Sequence, residues 1–209
     1  MTIRPPTWLK FVLLAVLATP AGVLAERLPE ASVSVGNDTV FGLTGTNTPV
    51  EFGLAAGEKV VYHSAKGINA LVETTTRLLG FSSQTMAWSE QSLALYEHVQ
   101  ERRVLSKFLL VRTDKHVYGF QASVGPWRTT ELGTTEEVQA TKLSGALAVV
   151  ITNRRLLGFS ALSGGFYEQD LFLDERILNT DVNDSVILLT TNVRQLFLRS
   201  ELQEWGQLR

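Results

Sequence analysis

A motif returns along this chain every 39 residues. It reads TTTRLLGF at residues 74–81, TDKHVYGF at 113–120 and TNRRLLGF at 152–159, with a worn copy, TNVRQLFL, at 191–198. Its glycine falls at Gly80, Gly119 and Gly158, and at the next step the slot holds Phe197. An earlier copy, GNDTVFGL at residues 36–43, puts Gly42 one residue out of phase. A fixed period of this size marks an array of like supersecondary units, none able to bury its apolar surface without its neighbours. The scaffold is therefore legible before any single residue is weighed. An activity is not.

Residues 1–25 read as an export signal and not as part of the array. Arg4 and Lys10 form a basic start, residues 11–17 are apolar, Pro20 follows, and Val23, Leu24 and Ala25 offer a cleavage site, with the cut expected after Ala25. The apolar run is short for a bilayer span, an uncleaved anchor being the alternative. The chain has no cysteine, which excludes a lipoprotein cleavage box and any disulfide. Without Arg4 and Lys10, 17 basic residues face 21 acidic ones, a net charge of −4. That balance gives no basic footprint for nucleic acid and no attraction to anionic lipid. Residues 26–209 are expected to form one periplasmic or secreted domain with no stable membrane insertion once the leader is gone.

One unit can be read from Leu147 as LAVVIT, NR, RLLGFSA, LSGG, FYEQDLFL, DE and RILNT. Two β-rich runs flank a polar pair, which is hairpin chemistry, and a glycine turn leads to the next run. Helical periodicity is missing. Each unit is thus four short antiparallel strands, A to D. An aromatic opens strand C at Trp88, Trp127, Phe166 and Trp205, with Phe52 as a shifted first copy. A β-branched residue marks strand D at Val60, Val99, Val138 and Ile177, and strand A is apolar at Leu71, Leu110, Val149 and Leu188. Large apolar groups on both faces suit sheets covered by two neighbours, and the strand B glycine predicts close approach of an aromatic from a neighbouring strand or blade. The chain therefore reads as an all-β, five-bladed β-propeller with its blades in a closed ring.

The stretch VVITNRRLLGFSALSGGF, residues 149–166, resembles the blade repeat of quinoprotein (pyrroloquinoline-quinone-type) propellers. The resemblance implies architecture only. The Asp-Gly common in that family's first turn is missing, the units are fewer, and nothing matches a quinone, calcium or haem site, so no cofactor is implied. The strand D position of the first blade would fall near residue 22, inside the leader, and the chain stops at Arg209 within strand C of the fifth blade. One outer strand is therefore missing, and the last blade is expected to have three strands.

Two charged slots repeat with the scaffold. Arg77, His116, Arg155 and Arg194 stand three before the glycine slot, and Glu58, Glu97, Glu136 and Glu175 stand two before the strand D marker. They form either a ring of cations for an anionic ligand or clamps in which each basic group pairs with a glutamate, and pairing of partly buried charge favours the clamp. A second candidate breaks the repeat: Glu73 and Arg112, in one strand A slot, are expected to face each other near the channel. His63, His98 and His116 do not show metal-ligand spacing, and Ser160 does not sit in a Gly-x-Ser-x-Gly elbow. The leading functional expectation is a protein-interaction or scaffold module. A multivalent glycan- or anion-binding protein comes second. An enzyme comes last, for want of a nucleophile or an acid–base pair.

Overall fold

The computed structural model describes residues 29–45 and 48–208. The leader expected over residues 1–25 lies outside them, as does Arg209.

Nineteen strands form five antiparallel sheets among the described residues, and consecutive strands pair throughout. Blade one holds β1 (Ala31–Val35), β2 (Thr39–Thr44) and β3 (Val50–Gly53). Blade two holds β4 (Val60–Lys66), β5 (Asn69–Thr74), β6 (Arg77–Ser82) and β7 (Ala87–Ser92). Blade three holds β8 (Val99–Val104), β9 (Phe108–Thr113), β10 (His116–Gln121) and β11 (Trp127–Glu131). Blade four holds β12 (Val138–Leu143), β13 (Leu147–Thr152), β14 (Arg155–Ser160) and β15 (Phe166–Asp170). Blade five holds β16 (Ile177–Val182), β17 (Val186–Thr191), β18 (Gln195–Arg199) and β19 (Gly206–Leu208). The chain is a five-bladed β-propeller.

The three-stranded blade is the first and not the last. The reason lies in how the sheets are cut from the sequence. Strand D opens a sheet and pairs with the hairpin that follows it, as Val138 does with Thr152, so the strand D position of blade one precedes Ala31 and lies outside the described residues. Turns from four successive blades, carrying Lys66, Ser106, Lys107, Ser144 and Asp184, line one depression of about 570 Å³. Strands β4, β8, β12 and β16 therefore form the central edge, and blade one has no such central strand among the described residues. Six-residue loops, residues 54–59, 93–98, 132–137 and 171–176, cross from the outer edge of each blade to the central strand of the next.

Blades stack by glycine and aromatic. The glycine of each strand B faces the following blade, and the residue after the next blade's glycine enters that space. A Cβ on Gly42 would stand 2.4 Å from the Phe81 ring, one on Gly80 2.8 Å from Phe120, and one on Gly119 2.3 Å from Phe159. Each ring also lies on its own blade's strand C aromatic, Phe120 on Trp127 at 5.3 Å and Phe159 on Phe166 at 5.1 Å between centroids. The indole N–H groups of Trp88, Trp127 and Trp205 donate backwards to the carbonyls of Val50, Ser89 and Tyr167 in the preceding blade. Buried indoles need such partners, so the tryptophans fix spacing as well as fill volume.

Strands β5 and β13 are buried along their whole length, as a sheet covered on both faces requires. The end blades differ. Strands β2 and β17 alternate between half-buried and buried residues, which leaves one face of each end blade partly open. Among the described residues, each hydrophobic core cluster spans two consecutive blades, and none joins blade five to blade one.

Candidate functional site

The repeated charged slots meet where each crossing loop passes the A–B turn of the next blade. The motif's leading threonine organises that turn: the Thr152 hydroxyl accepts the N–H groups of Arg154 and Arg155 at 3.1 and 2.9 Å, a side chain standing in for a backbone acceptor. The same hydroxyl donates to Glu136 Oε1 at 2.8 Å. Arg155 then closes on that carboxylate with two N–H groups, Nε to Oε1 and Nη2 to Oε2, both at 2.9 Å. The Gly133 N–H donates to Oε2 at 2.9 Å. Arg155 also reaches the Glu131 carbonyl of the preceding blade at 2.6 Å. One residue thus ties a turn, a loop and two blades together.

The arrangement recurs in blades two and five. Arg77 Nε and Nη2 reach Glu58 at 2.8 and 2.7 Å, and Arg194 reaches Glu175 at 2.9 and 3.0 Å. In blade three His116 Nδ1 lies 2.9 Å from Glu97 Oε1, and the Tyr118 hydroxyl donates to the same oxygen at 2.8 Å. Tyr118 supplies the second donor that an imidazole cannot. Sequence reasoning, which allowed Tyr118 a core or rim place, missed its part in the clamp; it stands where the copies at 74–81, 152–159 and 191–198 have leucine. Sequence reasoning also left unassigned the threonine at Thr74, Thr113, Thr152 and Thr191, although its recurrence in four copies was the available signal.

Burial pushes the Glu58 carboxyl up, but hydrogen bonds from Arg77, Thr74, the Ala55 N–H and Thr76 outweigh it and bring its pKa down to about 2. Glu97, Glu136 and Glu175 are lowered by the same contest between burial and hydrogen bonding. A carboxyl lowered on folding contributes stability that is complete above its unfolded value and is lost as pH falls through the folded one. For Glu58 that window runs from 4.5 down to about 2. Denaturant midpoints measured across it should fall steadily, and Glu58→Gln should flatten the fall.

Glu73 and Arg112 do not face each other. They hold equivalent positions on the same face of successive blades, so each looks toward the blade after its own. Buried Glu73 takes a two-pronged contact from Arg102 on β8. Arg112 donates to Glu101 Oε2 at 3.2 Å, and that oxygen also accepts the Thr141 hydroxyl of blade four at 2.7 Å. Arg103 donates to Glu101 Oε1 at 2.7 Å. The off-repeat charges are thereby spent on a chain of contacts linking blades two, three and four.

The crossing loops carry a further feature. Leu95 is 76% exposed, Tyr96 77%, Phe172 59% and Leu173 95%. Tyr96 has φ 58°, where the first crossing loop has Gly57 at φ 81°. A bulky side chain in that left-handed region is strained, and the strain is outside any core.

No family model matches the chain, and no curated protein does. Among solved structures it is similar to the N-terminal domain of Nup159, at 10% identity over 85% of this chain and 57% of that one, with a TM-score of 0.35. It is also similar to a chain in the structure of Kap60 bound to yeast RCC1 (Prp20), at 9% identity over 82% and 54%, with a TM-score of 0.40. A third likeness is to Kluyveromyces lactis Hsv2, at 8% identity over 86% and 73%, with a TM-score of 0.38. The chain thus spans little more than half the length of the first two. At identities this low the likeness is one of fold alone.

Proposed function

We propose that this chain is an exported scaffold that docks a protein partner on the rim formed by its crossing loops. The observation that carries the reading is Tyr96, an exposed aromatic kept in a backbone conformation that a glycine fills without strain in the sister loop. Exposed tyrosine and phenylalanine beside leucine are the residue types that anchor protein interfaces. The clamps make the rim suitable, because Glu97 and Glu175 pin the loops through the Ala94 and Phe172 N–H groups at 2.7 and 2.8 Å. A pinned loop loses little freedom when a partner arrives. The four basic slots are engaged by glutamates, which supports a structural role for them over an anion-binding ring.

A photoreactive residue at position 173, in protein recovered from its native host, tests the reading. A discrete cross-linked partner is expected, and it should be lost in Tyr96→Ser while the melting temperature holds. Cross-linking that is unaffected by Tyr96→Ser overturns it. Tyr96→Gly carries a separate expectation for stability. Relief of the left-handed tyrosine contributes about 1–2 kcal/mol, and the looser unfolded glycine takes back about 0.4–1 kcal/mol. The unfolding free energy should rise by roughly 0.5–1 kcal/mol by urea titration.

A further inference from the structure

Among the described residues, each end of the array presents one blade face that no other blade covers. In the interior, strand B glycines present a trailing face and the following blade presents Phe81, Phe120, Phe159 or Leu198 on its leading face. Four such interfaces join five blades. What remains is the leading face of blade one, with Phe41 and Leu43 half-buried on β2, and the trailing face of blade five, with Val186, Leu188 and Phe197 half-buried on β17 and β18. These are apolar positions at the repeat's buried places, and each is half in solvent.

The chemistry at the two faces is matched. The trailing slot is glycine at residues 42, 80, 119 and 158 and becomes aromatic at Phe197, while the opposing slot is aromatic at residues 81, 120 and 159 and leucine at Leu198 and, on the free face of blade one, at Leu43. The large member has moved from the leading to the trailing side. A similar change occurs at the interface's hydrogen-bond position. Ser82 and Ser160 there donate to the Ala122 and Ser200 carbonyls of the next blade at 2.6 Å, and blade five has the longer donor Arg199 in that place. An exposed Glu51 lies on the leading face beside Phe41.

We infer that a second copy of this chain docks head to tail, blade five of one copy on blade one of the next. The occupant follows from continuity with the interface already repeated four times: the face that fits a trailing blade surface is a leading one, and the leading face left over is blade one of another copy. Head-to-tail contact is heterologous, so two copies can close through two equal interfaces.

The experiment exploits the absence of native cysteine. Leu43→Cys and Phe197→Cys are made separately, mixed in equal amounts and oxidised mildly. A disulfide-linked dimer is expected in the mixture, with neither variant dimerising by itself. The unmodified protein should sediment as a dimer whose dissociation is concentration-dependent, and Leu188→Asp should weaken it at least tenfold. Leu188→Asp should leave the circular dichroism and melting curve of the dissociated chain nearly unchanged, since no other blade covers that face among the described residues. Three results overturn the inference. One is a monomer at every concentration. Another is an intrachain link in the double-cysteine variant at high dilution, which means that the ring closes on itself. The third is a disulfide-linked dimer of either single variant alone, because like faces would then be meeting.

Discussion

Replacing Glu136 by alanine should lower the unfolding free energy by about 3–5 kcal/mol, as breaking a buried ion pair from one side does. The glutamate side chain is 3% exposed and its arginine 19%. Removing the carboxylate takes an acceptor from four donors at once: Nε and Nη2 of Arg155, the Thr152 hydroxyl and the Gly133 N–H. Arg155→Ala should cost less, because Glu136 keeps the Thr152 hydroxyl and the Gly133 N–H. The double variant should fall well short of the sum, since the second change removes a group whose partner has already gone. Urea titrations of the four proteins check this. A loss under about 1 kcal/mol for Glu136→Ala would place the pair with exposed salt bridges and remove the clamp from the stability argument.

Blade count and strand direction could be read from the sequence because they depend on periodicity, and periodicity survives single departures such as Phe197. The clamp's members were visible for the same reason, at fixed offsets from the glycine. Its connectivity was not. Glu136 and Arg155 are brought together by a loop that leaves one blade and enters the next, and the repeat alone does not say which hairpin a given strand D joins. The same ambiguity put the short blade at the wrong end. Glu73 and Arg112 failed differently. Residues at one repeat position share a face, so two of them on neighbouring blades point the same way, and their partners Arg102 and Glu101 sit on one central strand, β8, whose charged pair has no match in the other blades. From sequence Tyr96 could be placed no more closely than core or rim, because neither its exposure nor its φ has a compositional signature.

Gly119→Ala should cost about 3 kcal/mol, the upper end for overpacking. The added Cβ would lie 2.3 Å from one carbon of the Phe159 ring and 2.5 Å from another. That ring has nowhere to retreat. It is fully buried, with Phe108 at 5.6 Å on one side and Phe166 at 5.1 Å on the other. Phe159→Ala alone should cost about 3–5 kcal/mol through lost burial and the cavity left behind. In the double variant the methyl group at position 119 enters the space that the ring vacates. The two costs should then not add: the double variant should be no less stable than Phe159→Ala, a coupling of about 3 kcal/mol between blades three and four. Gly53→Ala is the control, since a Cβ there meets nothing within 4 Å, and it should stay within about 0.5 kcal/mol of the parent. Additive costs for Gly119→Ala and Phe159→Ala would mean that the glycine serves its own strand's backbone. Blade spacing would then have to be set elsewhere, by the tryptophan N–H bonds and the arginine clamps.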